Sequence, residues 1–199
     1  YMEYITPGII MMSVITNSYS NVASSFYSAK YQRNVEELLV APVPTLFILL
    51  GYVFGGASRG LITAVIVTLV ASQFVDLNIN HWGVVIFVVF LTSMMFATAG
   101  LVNAVFAKSF DDISIIPTFV LTPLTYLGGV FYSIKMLPEF WQGISMANPV
   151  LYMVNAFRYG FFGFSDIPIE NAIILILVFI VALFSTAYYL LVKGIGIRS

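Results

Sequence analysis

What constrains this chain most is where its charges are missing. Residues 4–29 carry none, and only Arg59 interrupts the stretch between Glu37 and Asp76. From Asp76 to Lys108 there is no acid or base except His81, and Ile113–Ile134 and Asn171–Val192 are uncharged throughout. At about 1.5 Å of helical rise per residue, each of these runs reaches the roughly 30 Å of a bilayer's hydrocarbon core. The apolar residues run on continuously rather than alternating, which argues against a β-barrel. The chain therefore reads as an all-α polytopic membrane protein with five spans, at about 4–29, 44–75, 83–107, 113–133 and 169–192. Composition supports this: 60% of the residues are hydrophobic and 9% charged, against about 25% charged in soluble domains. The stretch 44–75 is too long for one perpendicular span. It is expected to tilt, or to begin as an interfacial segment near Pro42 and Pro44.

A sixth apolar stretch, 136–165, is broken by Pro138, Gly143, Pro149, Gly160 and Gly163 and carries Glu139 and Arg158. Such breaks free backbone groups that only protein or water can satisfy, so short re-entrant or interfacial helices are expected here. The basic residues orient the chain. Lys30, Arg33, Lys108, Lys193 and Arg198 fall on one side of a five-span arrangement, and Lys135 and Arg158 on the other. The richer side is assigned to the cytoplasm. The N-terminus then lies outside, and one further helix upstream is expected, giving a six-helix parent with both ends inside.

Several function classes fall away on residue inventory. A net charge of −1 with no basic patch gives nucleic acid nothing to hold. The chain has no cysteine and one histidine, which leaves no plausible metal site and no credible nucleophile–base pair. Asp76, Asp111, Asp112 and Glu170 sit at span ends, whereas proton- and sodium-coupled carriers usually bury a carboxylate. The phosphate-binding pattern G-x-x-x-x-G-K-[ST] is missing, so any ATP used must be hydrolysed by another chain.

Three features carry the functional reading. Ser13, Asn17, Ser20, Ser24 and Ser28 recur at three- and four-residue steps and share one helix face, as do Thr118, Thr122, Thr125 and Gly129. These faces either bond neighbouring helices or form the wall of a translocation path. Arg59 lies inside a span, where an arginine costs about 2.5–3.5 kcal/mol on insertion scales. It either faces a conduit or snorkels because the tilted helix enters the bilayer late, and a helix start near Ser58 is a further alternative. Gly51/Gly55 and Gly56/Gly60 beside it have small-xxx-small spacing suited to close helix contact. The segment 30–43 places charges before an apolar stretch closed by Pro42 and Pro44, either a solvated loop or a short helix lying on a partner.

The run Glu36-Glu37-Leu38-Leu39-Val40-Ala41-Pro42 resembles the E-x-L-L-x-x-P element of type-2 ABC exporter permeases. Leu137-Pro138-Glu139-Phe140-Trp141, Asn148-Pro149-Val150 and Asn155-Ala156-Phe157-Arg158 are similar to that family's element before its last helix, and Tyr4-Ile5-Thr6-Pro7-Gly8 to the start of its second. The motifs stand in order over nearly the whole chain. One departure is Asn34-Val35, where the family often has Gly-Thr; it bears on the local turn. The resemblance implies a single permease domain over 1–199 that lacks the first helix of six, in the plasma (inner) membrane of a bacterium. It implies a coupling element at 30–43 docking on a cytoplasmic ABC ATPase, with Arg33, Glu36, Glu37, Leu38 and Pro42 as contact candidates. It further implies an outer gate at 134–165 near Asn148, Pro149 and Arg158. Read from the residues alone, Asn148-Pro149 is equally a helix-breaking turn and Arg158 an interfacial anchor. The expected function is export of an amphiphilic substrate (a drug, lipid or lipid-linked saccharide) through a path including Ser13, Asn17, Ser20, Ser24, Arg59, Thr118, Thr122 and Thr125. The expected partner is a second permease copy, with ATP and magnesium on the ATPase and no cofactor in this chain. An energy-independent channel or scramblase-like protein is the alternative, and a membrane scaffold a third class; neither needs the 30–43 dock.

Overall fold

The computed structural model describes residues 2–197. Arg198, counted above among the cytoplasmic cations, lies outside the described residues. Within them every regular element is helical: α1 (Met2–Tyr31), α2 (Asn34–Val40), α3 (Thr45–Ala71), α4 (Trp82–Phe106), α5 (Phe110–Ile116), α6 (Thr122–Leu127), α7 (Glu139–Met146), α8 (Pro149–Phe162) and α9 (Ile169–Lys193). A π-helical turn, Pro117–Leu121, joins α5 to α6, and a 3-10 turn, Ile134–Met136, precedes α7.

Local chemistry sets several boundaries. At the start of α5 the Ser109 hydroxyl accepts from the Asp112 N–H, and the Asp112 carboxylate accepts from the Ser109 N–H at 3.0 Å and the Lys108 N–H at 2.8 Å. That reciprocal pair satisfies donors the first helical turn would leave orphaned. Pro117 has no N–H to continue the ladder. The helix widens there, and the Thr122 hydroxyl donates to the Pro117 carbonyl at 2.9 Å. At the start of α8 the Asn148 side chain accepts from the Val150 N–H at 2.9 Å, with Pro149 in the first turn. Gly163, at φ 73°, ends α8 in the left-handed conformation that glycine adopts without strain.

The helix α1 is the centre of the bundle, packed chiefly on α4 and α3, and α4 also meets α8 and α9. Small residues allow these approaches. A Cβ on Gly56 would stand 2.5 Å from Val22 Cγ2 and 2.6 Å from Ala97 Cβ, and one on Gly60 would collide with the Ser18 and Ser93 hydroxyls. The expected second close pair is not one: Gly51 and Gly55 have nothing within 4 Å.

The spans are shifted from their expected limits. Among the described residues, three helices (α3, α4 and α9) are long and apolar enough to cross a membrane. Of the other two expected spans, α1 has the length but carries the serine stripe, and 113–133 is replaced by α5, the π turn and α6, which run from Phe110 to Leu127. Residues 128–133 turn away because Gly128 ends α6 and Gly129 takes φ 72°. The long stretch 44–75 resolves into an α3 that stops at Ala71, with Pro44 preceding its first turn. The broken stretch 134–165 consists, as expected, of short helices.

Candidate functional site

The two polar stripes meet. Ser20 and Ser24 of α1 face Phe110, Ile113, Ser114, Pro117 and Thr118 across an open cleft of about 380 Å³. On the other side of the stripe, Arg59 of α3 donates from Nη1 to Asn21 Oδ1 at 3.1 Å. So α1 presents its polar face between α5 and α3, and the chain leaves that face uncovered. Ser13, Asn17 and Ser20 are half-buried, and Ser24, Arg59, Thr118 and Thr122 are exposed. Thr125 departs from the expected path: it is buried, and its hydroxyl donates to the Thr122 carbonyl at 2.8 Å.

Four of these side chains bond within their own segments. Ser13 donates to the Ile9 carbonyl, Asn17 Nδ2 to that of Ser13, and Ser24 to that of Ser20, each on its own helix. Thr122 likewise bonds within its own segment. The surface is thus polar without needing a neighbour. Arg59 sits mid-way along α3, about 21 Å from the Thr45 end and about 18 Å from the Ala71 end, in one continuous helix. A helix start near Ser58 is therefore excluded.

A second constellation gathers around the 124–129 connection. Asn148 Nδ2 donates to the Leu124 carbonyl at 2.6 Å, and Arg158 Nη2 to the Gly129 carbonyl at 2.9 Å. The Arg158 guanidinium lies over the Tyr4 ring, 4.0 Å from its centroid. Arg158 is 1% exposed, so it is no interfacial anchor. Its Nε and Nη1 have no hydrogen-bond partner. Beside it, Asp166 accepts from the Ser133 hydroxyl at 2.6 Å and pairs with Lys135 at 3.6 Å, and its N–H donates to Asn155 Oδ1 at 3.0 Å. Asn148-Pro149 is both a cap and a tie, since one side chain does both.

The third constellation is the end of α1. After Tyr31 the chain turns through Arg33, at φ 62°, into α2, whose buried Val35 anchors it. Asn34 and Val35, where the family often has Gly-Thr, are the first two residues of α2. Glu36 and Glu37 border a shallow depression with Val40 and Ala41, of about 490 Å³. Leu38 shares an apolar groove of about 410 Å³ with Val43, Phe47, Ile48, Gly51 and Tyr52. Arg33 lines a third hollow with Lys30, Glu36 and Lys108, and Pro42 is exposed. Lys30 is not a free surface cation. Its Nζ donates to the carbonyls of Val105 at 2.6 Å and Ala107 at 2.9 Å, closing the C-terminal end of α4. Tyr27 adds a bond to the Lys108 carbonyl at 2.9 Å.

Reading the sequence missed Asn21, Ser114, Tyr4 and the closure of α4 by Lys30. Asn21 stands four residues after Asn17, so the same periodicity contained it. Ser114 likewise stands four residues before Thr118; the other two depend on contacts between distant segments.

The chain matches the ABC-2 type transporter family over residues 1–162. It is 56% identical over 199 residues to the inner membrane transport permease YadH of Escherichia coli (strain K12), covering 100% of this chain and 78% of that protein. It is 23% identical over 193 residues to nodulation protein J of Rhizobium leguminosarum bv. viciae, covering 94% of this chain and 73% of that protein. The family implies association with an ABC ATPase subunit. Apolar spanning helices, the family and the relatives agree: the chain belongs to the ABC-2 type transporters and is a membrane permease subunit of an ABC transporter, multi-pass in the bacterial inner membrane.

Proposed function

We propose that this permease is the membrane part of an ATP-driven exporter that moves an amphiphilic substrate, such as a drug, lipid or lipid-linked saccharide, out of the cytoplasm. ATP and magnesium act on a separate ATPase subunit. The single permease domain, 1–199, supplies five spans, and two copies face each other. The observation that carries this reading is the uncovered polar face of α1 between α5 and α3. Ser13, Asn17, Ser24 and Thr122 bond carbonyls of their own segments, yet the polarity of the face fits hydrocarbon poorly. A second copy opposite this face would enclose a conduit lined by Ser13, Asn17, Ser20, Ser24, Arg59, Thr118 and Thr122, with Thr125 buried behind.

Arg33, Glu36, Glu37, Leu38 and Pro42 form the ATPase dock. A push on α2 passes through the two-residue turn into α1 and, by way of Lys30, into α4. Asn148, Pro149 and Arg158 hold the outer gate against the 124–129 connection. The test is a set of single cysteines, Ser20→Cys, Arg59→Cys and Thr118→Cys, probed with a membrane-impermeant maleimide in resting and ATP-driven states. Modification in at least one state is expected at all three. Resistance at all three from both sides in both states would overturn the conduit.

A further inference from the structure

We propose that the substrate carries an anionic group, a phosphate or a carboxylate, and that Arg59 receives it. This rests on reading the α1–α3–α5 face as the wall of the path. A guanidinium offers five donors and no acceptor. On Arg59 one hydrogen bond is formed, to the neutral Asn21 amide oxygen. Among the described residues the one ion pair joins Lys135 to Asp166, so no carboxylate neutralises Arg59. Its companions on the exposed face (Ser13, Asn17, Ser20, Ser24, Thr118 and Thr122) are uncharged. The acids nearest the ends of α1, α3 and α5 are Glu3, Glu37, Asp76, Asp111 and Asp112, and all lie outside the mid-span level of Arg59.

The face therefore has one formal charge, positive, half-way along a span whose other residues are uncharged. In a medium of low dielectric that charge attracts an anion far more strongly than it would in water. The planar fork of a guanidinium also matches the two oxygens of a carboxylate or phosphate. One cation on that face, with no acid beside it, suits a negatively charged passenger and opposes a cationic one.

The experiment uses the full-length permease in phosphatidylcholine nanodiscs and measures protection of Thr118→Cys from maleimide. The probes are dodecyl phosphate, dodecanoate, dodecyl maltoside and dodecyltrimethylammonium. Dodecyl phosphate or dodecanoate should protect at about tenfold lower concentration than the neutral and cationic probes, as one charge-assisted contact would give. The ranking of the two anions separates phosphate from carboxylate. Arg59→Gln should bring the anions to the level of the maltoside, while Arg59→Lys keeps part of the preference. Equal protection by all probes, or an anion preference that persists in Arg59→Gln, would overturn the proposal while leaving the path intact. Protection by none would overturn the reading of the path itself, and this proposal with it.

Discussion

Gly60 and Gly51 are the same residue type on the same helix with opposite duties. A Cβ at Gly60 meets the Ser18 and Ser93 hydroxyls where α1, α3 and α4 cross, whereas one at Gly51 meets nothing within 4 Å. Gly60→Ala is expected to destabilise the purified permease by about 1–3 kcal/mol through overpacking. Gly51→Ala should be neutral or slightly stabilising, because alanine is the better helix former by about 1 kcal/mol. Melting curves of the two variants in one detergent check the contrast; equal melting points would contradict the close crossing. Asn148 can be dissected in the same way. Asn148→Asp keeps the oxygen that caps α8 but loses the amide donor to the Leu124 carbonyl, and Asn148→Ala loses both. The alanine variant should lose about 1 kcal/mol for the cap, and the aspartate at least as much, because its buried carboxylate faces the Leu124 carbonyl oxygen.

At the scale of elements, the junction of α1, α2 and α4 is where a load on the cytoplasmic side enters the bundle. Lys30 is a cation at the carbonyl end of α4, where the helix dipole favours positive charge. Lys30→Met should lower stability by on the order of 2 kcal/mol, as expected for a hydrogen-bonded charge. It should also reduce transport per ATP hydrolysed; Lys30→Arg should recover most of both. On α2, Glu36→Lys combined with Glu37→Lys should abolish export while membrane insertion continues, since both carboxylates border an open depression away from the packed core. Export and co-purification of the ATPase measure this. Unchanged export in the double variant would remove α2 from the docking role.

For the whole molecule, the decisive quantity is which side of the bilayer each connection occupies. The basic-residue bias assigns 30–43 and 108–112 to the cytoplasm and 76–82 to the outside. The structure agrees with that grouping in one respect: Lys30 and Tyr27 bond the carbonyls at 104–108, so the α1–α2 and α4–α5 connections share one end of the bundle. Asn34→Cys and Asn78→Cys, both at exposed positions, should react with an impermeant thiol reagent from opposite faces. Reaction of both from outside would reverse the orientation.

Charge-free length determined most of the architecture by itself, because a hydrocarbon core accepts only apolar helices with every backbone bond closed internally. The helical class and the limits of α4 and α9 to within a residue were legible there, while Pro and Gly breaks gave the short helices of 134–165 and the ordered motifs carried the family resemblance. The stripes were legible as well, since three- and four-residue steps mark one face of any helix. Tertiary structure alone decided what those faces meet. Periodicity says that Ser20 and Thr118 leave lipid, but not that they line one cleft, nor that Thr125 is buried. It could not say that Arg59 reaches Asn21, that Gly51 is open while Gly60 is closed, or that Arg158 is buried over Tyr4. Each of those depends on how one helix is rotated against another, and that rotation is set by the fit of side chains from segments far apart in the chain.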